Sequence, residues 1–284
     1  GKIMGVAEGI ILQKDIRNIS KLKDYLSDNF LTDAANEVVV RKGTVLIVTG
    51  FFISYANASE TDGPAGSIAL GRALKDIGFD VIYVTDKWSY SILEGISEKE
   101  DEIVEFPVDN HENSKQFAND LIKKFSPSLS ISIERASLMG DGTYRNWKGE
   151  DVSKYNAKID YLFNYSKFSI GIGDGGNEIG MGNLNSEIKK VEGLPDNPAV
   201  TKVNNLIISS CSNWGAYGLV AEISAILNKN LLISVDDAKE LITKSVDLGA
   251  VEGMSGDSIY AVDGRNLEED SICLIQLHEY LERS

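Results

Sequence analysis

The stretch Thr44-Val-Leu-Ile-Val-Thr-Gly50 decides the fold class. It is short, rich in β-branched residues and ended by glycine, which is typical of a strand buried on both faces of a sheet. Four further segments of strand length follow it, at Asp80–Val84, Leu129–Ile133, Phe168–Ile172 and Leu206–Ser209. The chain therefore contains a series of short buried strands.

Segments with helical spacing of apolar residues separate these strands. Helices are predicted at Gly66–Ile77, Ser114–Phe125, Asn156–Asn164, Trp214–Leu227, 236–248 and 267–282. Alternation of strands and helices predicts an α/β fold with a mostly parallel sheet and helices on both faces. Ile16, Ile19, Leu22 and Leu26 predict one more helix near 15–28. We therefore expect an N-terminal helical extension over 1–40 and a single α/β catalytic domain over 41–284.

The composition narrows the class of partner. A net charge of −15 repels nucleic acid and anionic lipid, so neither is expected to bind. The apolar runs are strand-length and no secretory leader is visible. Cys211 and Cys273 form no CxxC pair, which fits a reducing compartment, so we expect a cytoplasmic enzyme that does not contact membranes. A homo-oligomer is left open.

The unusual polar residues lie just after predicted strands. They fall in Thr49–Gly66, Glu134–Ser153, Gly171–Gly182 and Ser210–Tyr217. Ligands of open α/β sheets bind outside the carboxyl ends of the strands. The four segments are therefore expected to converge on one crevice.

The first two segments contain carboxylate side chains, and the second also contains Arg135. Glu60 and Asp62 precede Gly63-Pro64, where they would either cap a helix or act at a site. The second segment forms either a salt-bridged surface loop or a binding loop. Its candidate substrate-binding residues are Glu134, Arg135, Asp141, Tyr144 and Asn146.

The third segment, Gly171-Ile-Gly-Asp-Gly-Gly-Asn-Glu-Ile-Gly180, matches G-x-G-x-x-G. That fingerprint also needs an acid on a second strand about 20 residues later, and Glu192 lies in a polar stretch instead, so no NAD is expected. Its glycines let backbone N–H groups face a ligand, whereas its polar residues can transfer protons or hold a cation. The candidates are Gly173, Asp174, Gly175, Gly176, Asn177 and Glu178.

The fourth segment supplies Ser212, Asn213 and Trp214 as candidate substrate-binding residues, although Asn213 would also serve as a helix cap. Cys211 is not expected to be a nucleophile, because none of these loops contains a histidine to activate it. Proton transfer is therefore expected from carboxylates or from a metal-bound water.

These motifs together resemble the D-glutamate cyclase C-terminal domain family. The resemblance rests on Glu60-Thr-Asp-Gly-Pro64, Ile133-Glu-Arg135, the Gly171–Gly182 run, Ser212-Asn-Trp-Gly215 and the late segment Val246–Gly256. It runs from about residue 44 to 264, and we expect a stand-alone form without the additional N-terminal domain of the vertebrate enzyme.

The resemblance implies a hydro-lyase that converts D-glutamate, a small acidic metabolite, to 5-oxo-D-proline, assisted by Mg²⁺ or Mn²⁺. Asp174 and Glu178 are then expected as base and acid, with Asn177, Glu60 and Asp62 also in the catalytic set. Arg135 is expected to clamp the substrate α-carboxylate, and backbone N–H groups of the glycine loop to stabilise the oxyanion. The expected metal ligands are Glu60, Asp62, Asp174 and Glu178.

Two other functions stay open at this point. Met139-Gly-Asp-Gly-Thr143 is similar to a kinase phosphate loop, which indicates a phosphotransferase or a nucleotide-binding protein. A non-catalytic binder of an acidic metabolite would need the arginine and the glycine loop, but not ionisable carboxylates.

Overall fold

The computed structural model describes residues 4–283 and contains a six-stranded parallel sheet. The strands are β1 Thr44–Gly50, β2 Asp80–Thr85, β3 Glu102–Glu105, β4 Leu129–Arg135, β5 Ser169–Gly173 and β6 Asn205–Ile208. Their order is β3-β2-β1-β4-β5-β6, with every neighbouring pair parallel. From β1 the chain adds strands toward one edge of the sheet, and from β4 it adds them toward the other edge. In such sheets the ligand crevice lies where this order reverses, here between β1 and β4.

Ten α-helices cover the sheet within residues 4–283. They are α1 Val6–Ile11, α2 Phe30–Val39, α3 Pro64–Asp76, α4 Tyr90–Ile96, α5 His111–Phe125, α6 Tyr161–Tyr165, α7 Asn185–Ile188, α8 Ser212–Leu227, α9 Val235–Asp247 and α10 Leu267–Arg283. None of the helices in this range is long and apolar enough to cross a membrane.

Alternate residues of β1 pack on opposite faces of the sheet, because successive side chains of a strand point in opposite directions. Val45 and Ile47 belong to the larger core, which includes residues of α3 and α8. Leu46 and Val48 belong to a second core with residues of α5 and α6. The predicted α/β class with helices on both faces is confirmed.

The helix predicted near 15–28 is wrong for its first turn. The Asp15 carboxylate accepts hydrogen bonds from the backbone N–H groups of Arg17, Ile19 and Ser20, and Asn18 has a left-handed φ of 69°. These bonds satisfy the backbone outside a helix, so only a 3₁₀ helix forms, at Ile19–Tyr25.

The N-terminal segment packs directly on α8. A Cβ atom at Gly218 would lie 2.8 Å from the Ile11 side chain and 2.9 Å from the Leu31 side chain, so glycine allows this close approach. Both side chains are fully buried in the larger core. The packing fixes the following loop, which carries Arg17, against the edge of the sheet.

Candidate functional site

A cavity of about 380 Å³ opens beyond the carboxyl ends of β1, β4 and β5. Its lining comes from the N-terminal segment, the loops after these three strands, and a late loop. The lining residues are Arg17, Phe51, Phe52, Ile53, Ser54, Tyr55, Glu60, Glu134, Asn146, Trp147, Asp174, Gly175, Asn177, Gly193, Leu194, Pro195, Asp196, Gly253 and Met254. Three of the four predicted segments line the cavity, and the fourth reaches the same place by bonding Ser212 and Asn213 to Asp62 and Glu134.

A buried group of carboxylates lies at the cavity, and three of its members, Glu60, Glu134 and Asp174, line it, whereas Asp62 lies outside the lining. Oxygen atoms of Asp62, Glu134 and Asp174 lie within 4.8 Å of one another. Glu60 also lines the cavity, and its charge acts on the carboxyl group of Glu134. We call these four residues the acidic cluster.

Burial raises the pKa of every member of the acidic cluster. The charge of a neighbouring carboxylate raises it further: Asp62 does so for Glu60, and Asp174 does so for Glu134. For Asp174, burial raises the pKa and the Arg17 guanidinium opposes that rise. Raised pKa values suit groups that accept and return protons near neutral pH.

Asp62 is held in place by the start of α8. Its carboxylate accepts hydrogen bonds from the backbone N–H groups of Ser212 at 3.1 Å and Asn213 at 2.8 Å. In return, the Asn213 Oδ1 accepts from the N–H groups of Gly63 at 2.8 Å and Gly66 at 2.9 Å, at the start of α3. The expected capping of its own helix is therefore wrong for both residues: Asp62 caps α8 and Asn213 caps α3, and this reciprocal capping fixes the Asp62 carboxylate.

Glu134 is fixed in an uncommon backbone conformation at the end of β4. Its φ is 49°, in the left-handed region that non-glycine residues seldom adopt. The Ser212 hydroxyl donates to its Oε1 at 2.8 Å. Ser212 therefore reaches the site through Glu134 rather than by lining the cavity.

The glycine loop is organised around Glu178. The Glu178 carboxylate accepts from the backbone N–H groups of Asp174 at 2.7 Å, Gly175 at 2.8 Å and Gly176 at 2.8 Å. Glu178 is fully buried and does not line the cavity. The N–H groups expected to stabilise an oxyanion are thus already bonded, and Glu178 holds the loop instead of facing a ligand.

Gly173 and Gly176 serve that arrangement. A Cβ atom at Gly173 would lie 2.9 Å from the Glu178 carboxylate, and Gly176 has a φ of 92°. Asp174 and Asn177 project from the loop and line the cavity with Gly175. The Asp174 Oδ2 is buried without a hydrogen-bond partner and lies 3.8 Å from the Arg17 Nη1. It is the free acceptor atom of the acidic cluster.

Arg135 does not line the cavity. Its guanidinium pairs with Asp86 at 2.7 Å and donates to the carbonyl groups of Gly50 at 3.0 Å and Ala157 at 2.8 Å. The side chain is 1% exposed, so these contacts hold β1 and β4 in position and do not leave it free for a substrate.

Arg17, which the sequence analysis missed, supplies the guanidinium of the cavity. It makes a two-pronged ion pair with Asp263 and lies beside Asp174. Burial would lower its pKa, but the charges of Asp174 and Asp263 raise it, so Arg17 stays protonated. No local motif marks Arg17, because its partner is 246 residues away in the chain.

The remaining candidates lie at the rim or outside the cavity. Asn146 lines the rim, whereas the buried Tyr144 donates its hydroxyl to Asp160. Asp141 is exposed, and its carboxylate bonds to Thr143. The turn that resembles a phosphate loop closes on itself, with the Met139 N–H bonded to the Thr143 carbonyl at 2.8 Å.

Two residues at the start of α8 are buried beneath the site. The Trp214 Nε1 donates to Asp270 at 2.9 Å, and Trp214 does not line the cavity. The Cys211 thiol donates to the Asp62 Oδ1 at 3.3 Å, and burial raises its pKa. Cys211 therefore remains a thiol, in agreement with the expectation that it is not a nucleophile.

The donor set of the acidic cluster fits a divalent cation. Three residues offer carboxylate oxygens within 4.8 Å of one another, and the Asp174 Oδ2 lacks a hydrogen-bond partner. Oxygen ligands of this kind suit Mg²⁺ or Mn²⁺. A cation held by Asp62, Glu134 and Asp174 would offset charges that burial otherwise makes costly.

Comparison with known proteins agrees with the resemblance in sequence. A family model described as D-glutamate cyclase-like, C-terminal matches residues 10–278. The mitochondrial D-glutamate cyclase of Homo sapiens is 29% identical over 198 residues, which cover 62% of this chain and 32% of that protein. The chain thus matches about a third of the length of this curated relative.

Two solved structures show weak likeness. The apo form of LigD from Sphingobium sp. strain SYK-6 has a TM-score of 0.26 at 9% identity, covering 84% of this chain and 86% of that chain. Active domain 2 of a chitinase from Pyrococcus furiosus has a TM-score of 0.26 at 11% identity, covering 90% and 92%. Neither likeness informs the fold or the function.

Proposed function

Because the chain belongs to the D-glutamate cyclase-like, C-terminal family, we propose that it dehydrates D-glutamate to 5-oxo-D-proline. The reaction joins the α-nitrogen to the γ-carbon and releases one γ-oxygen as water, which makes it a hydro-lyase. The observation that supports this most is the acidic cluster beside Arg17 at the cavity. The site combines carboxylates that can accept protons with the positively charged Arg17 side chain, between β1 and β4, where the strand order reverses.

Arg17 orients the substrate through its α-carboxylate in this proposal. It is the guanidinium that lines the cavity, and it is held in place by Asp263. Glu60 and Glu134 accept hydrogen bonds from the substrate ammonium group, since both line the cavity. Binding at both groups folds the substrate so that its nitrogen approaches the γ-carboxyl group, and such positioning lowers the barrier to ring closure.

Asp174 acts as the base through its Oδ2. This buried oxygen has no hydrogen-bond partner, so it is free to accept a proton from the substrate ammonium group. The amine then becomes nucleophilic. The ammonium group loses two protons in all, and both pass to the departing γ-oxygen, one through Asp174 and one through Glu60, so that the oxygen leaves as water.

A divalent cation would be held by Asp62, Glu134 and one oxygen of Asp174, which leaves the other Asp174 oxygen to accept the proton, and it would supply a Lewis acid toward the γ-carboxyl group. Asp62 is suited to hold it, because the start of α8 fixes its carboxylate. Glu178 acts indirectly in this scheme, by keeping the Asp174 loop in one conformation.

The test is incubation of the purified protein with D-glutamate or L-glutamate, with Mg²⁺, Mn²⁺ or a chelator, followed by chiral chromatography of 5-oxoproline. The proposal expects 5-oxo-D-proline from D-glutamate with a divalent cation, and much less in the chelator. Absence of product from D-glutamate under all conditions overturns it. Tight calorimetric binding of ATP without product would instead favour a phosphotransferase.

A further inference from the structure

The cavity has an apolar wall that free glutamate does not use. Phe52, Leu194 and Met254 contribute to this wall, and Trp147 is the most exposed of its apolar residues, at 69%. The Phe52 ring stacks on Tyr155 with ring centroids 4.8 Å apart, which holds this part of the wall rigid. Glutamate is polar at both ends, so its binding alone leaves the wall in contact with water.

The charge of the lining also disfavours a doubly anionic ligand. Four carboxyl groups line the cavity, those of Glu60, Glu134, Asp174 and Asp196, whereas among residues 4–283 Arg17 is the one basic side chain in the lining. Free glutamate brings two carboxylates into this acidic space. A γ-amide of glutamate brings one, and that one is matched by Arg17.

On the basis of the proposed function, we infer that the same site cyclises D-γ-glutamyl amides whose amine is apolar or aromatic. The D-glutamyl part lies against Arg17 and the acidic cluster. The amine substituent lies against Phe52, Leu194, Met254 and Trp147. The ligand then contacts both the polar and the apolar parts of the cavity. Transfer of the apolar substituent from water to the cavity wall contributes favourable binding free energy.

The chemistry balances without water, oxidant or reductant. The α-nitrogen forms a bond to the γ-carbonyl carbon, and the bond from that carbon to the substituent nitrogen breaks. Both protons that the α-ammonium group loses pass to the leaving nitrogen, so an alkylamine departs as an ammonium ion. The products are 5-oxo-D-proline and the amine, and an arylamine departs neutral with one proton released to solvent.

The groups proposed for dehydration also serve this reaction. Asp174 Oδ2 accepts a proton from the α-ammonium group, and Glu60, which also lines the cavity, is placed to pass a proton to the departing nitrogen. The uncharged amide carbonyl is attacked more readily than a carboxylate, because the negative charge of a carboxylate opposes addition of the nitrogen. The leaving amine moves outward along the apolar wall to the rim.

The experiment compares D-γ-glutamyl-p-nitroanilide with free D-glutamate under the same conditions. Release of p-nitroaniline is followed by colour and 5-oxo-D-proline by chiral chromatography, each against the L-enantiomer. We expect both products in equal amounts. Turnover of D-glutamate without turnover of the anilide overturns the inference and leaves the proposed function standing. Release of p-nitroaniline with glutamate as co-product identifies hydrolysis and also overturns it.

A wall variant makes the test specific to the substituent. In Trp147→Ser, the ratio of kcat/KM for the anilide to kcat/KM for D-glutamate is expected to fall about tenfold, as one aromatic contact is lost. Tyr25→Ser is the matched control, because Tyr25 is 53% exposed and outside the cavity lining. The same ratio in wild type, Trp147→Ser and the control would overturn the assignment of the wall to the leaving amine.

Discussion

Replacement of Asp174 by asparagine separates the catalytic role of this carboxylate from its cost to the fold. The substitution keeps the size of the side chain but removes the proton acceptor at Oδ2, the oxygen that is buried without a hydrogen-bond partner. Loss of a general base typically lowers the rate by about 10²- to 10⁴-fold, so we expect kcat for 5-oxo-D-proline formation to fall by that factor. KM should change little, because Arg17 and Glu60 remain.

The Asp174→Asn variant should be more stable than wild type, although its activity falls. Burial raises the pKa of Asp174 and neighbouring carboxylates raise it further, so its ionised form opposes folding at neutral pH. An uncharged amide removes that penalty but also the attraction to Arg17 at 3.8 Å. We expect a net gain of roughly 1 kcal/mol in the free energy of unfolding, or a rise in Tm of about 2–4 °C without added metal.

Steady-state kinetics and thermal unfolding of the same protein preparations give kcat and Tm. Asp141→Asn is the matched control, since Asp141 is exposed and outside the cavity, and it should leave kcat and Tm unchanged. Full activity in Asp174→Asn would refute the role of Asp174 as the base. A loss of activity together with a marked fall in Tm would show that Asp174 supports the fold instead.

Three other predictions follow from buried carboxylates. Glu178→Ala should lower the free energy of unfolding by about 3 kcal/mol in chemical denaturation, because three backbone N–H groups lose their acceptor; an unchanged midpoint would contradict its role in holding the loop. Burial raises the pKa of Asp270 to about 7 from 3.8, so the folded state retains a proton that the unfolded state loses. The free energy of unfolding should therefore fall by on the order of 4 kcal/mol from this group between about pH 4 and pH 7. Unfolding curves measured across this pH range should lack that fall in Asp270→Asn. Equal dependence of the free energy of unfolding on pH in both proteins would contradict the prediction. Addition of Mn²⁺ to weakly buffered protein should release protons, as seen with a pH indicator, and Glu134→Gln should release fewer; no release from wild type would count against a cation in the acidic cluster.

The central strands could be predicted from the sequence because each is a short apolar run buried on both faces. β1 and the helix α3 that follows its loop were predicted within a few residues. The edge strand β3 was missed, since Glu102–Glu105 has acidic residues at both ends and little burial. Helix α2 was missed for a different reason: its apolar face is defined by contacts with α8, far away in the chain.

Only those parts of the candidate site that depend on short segments of sequence could be predicted. Glu134 lies at the end of β4, Asp174 directly follows β5 and Glu60 lies in the segment between β1 and α3, and the rule that ligands bind at strand ends brings them together. The distinct roles of Glu178 and Asp174, four residues apart, depend on which backbone N–H groups the glycine loop turns inward. Arg17 and Asp263 meet only through the packing of both ends of the chain, which no spacing in the sequence records.

The measurement that tests the central claim most directly follows oxygen atoms through the reaction. Wild-type protein with Mn²⁺ is incubated with D-glutamate that carries oxygen-18 in both γ-carboxylate positions, and the product is analysed by mass spectrometry. Dehydration at the acidic cluster predicts 5-oxo-D-proline with one label retained in the ring carbonyl and the other lost to water. Unreacted D-glutamate, or product that forms at the same rate without protein, would contradict the account.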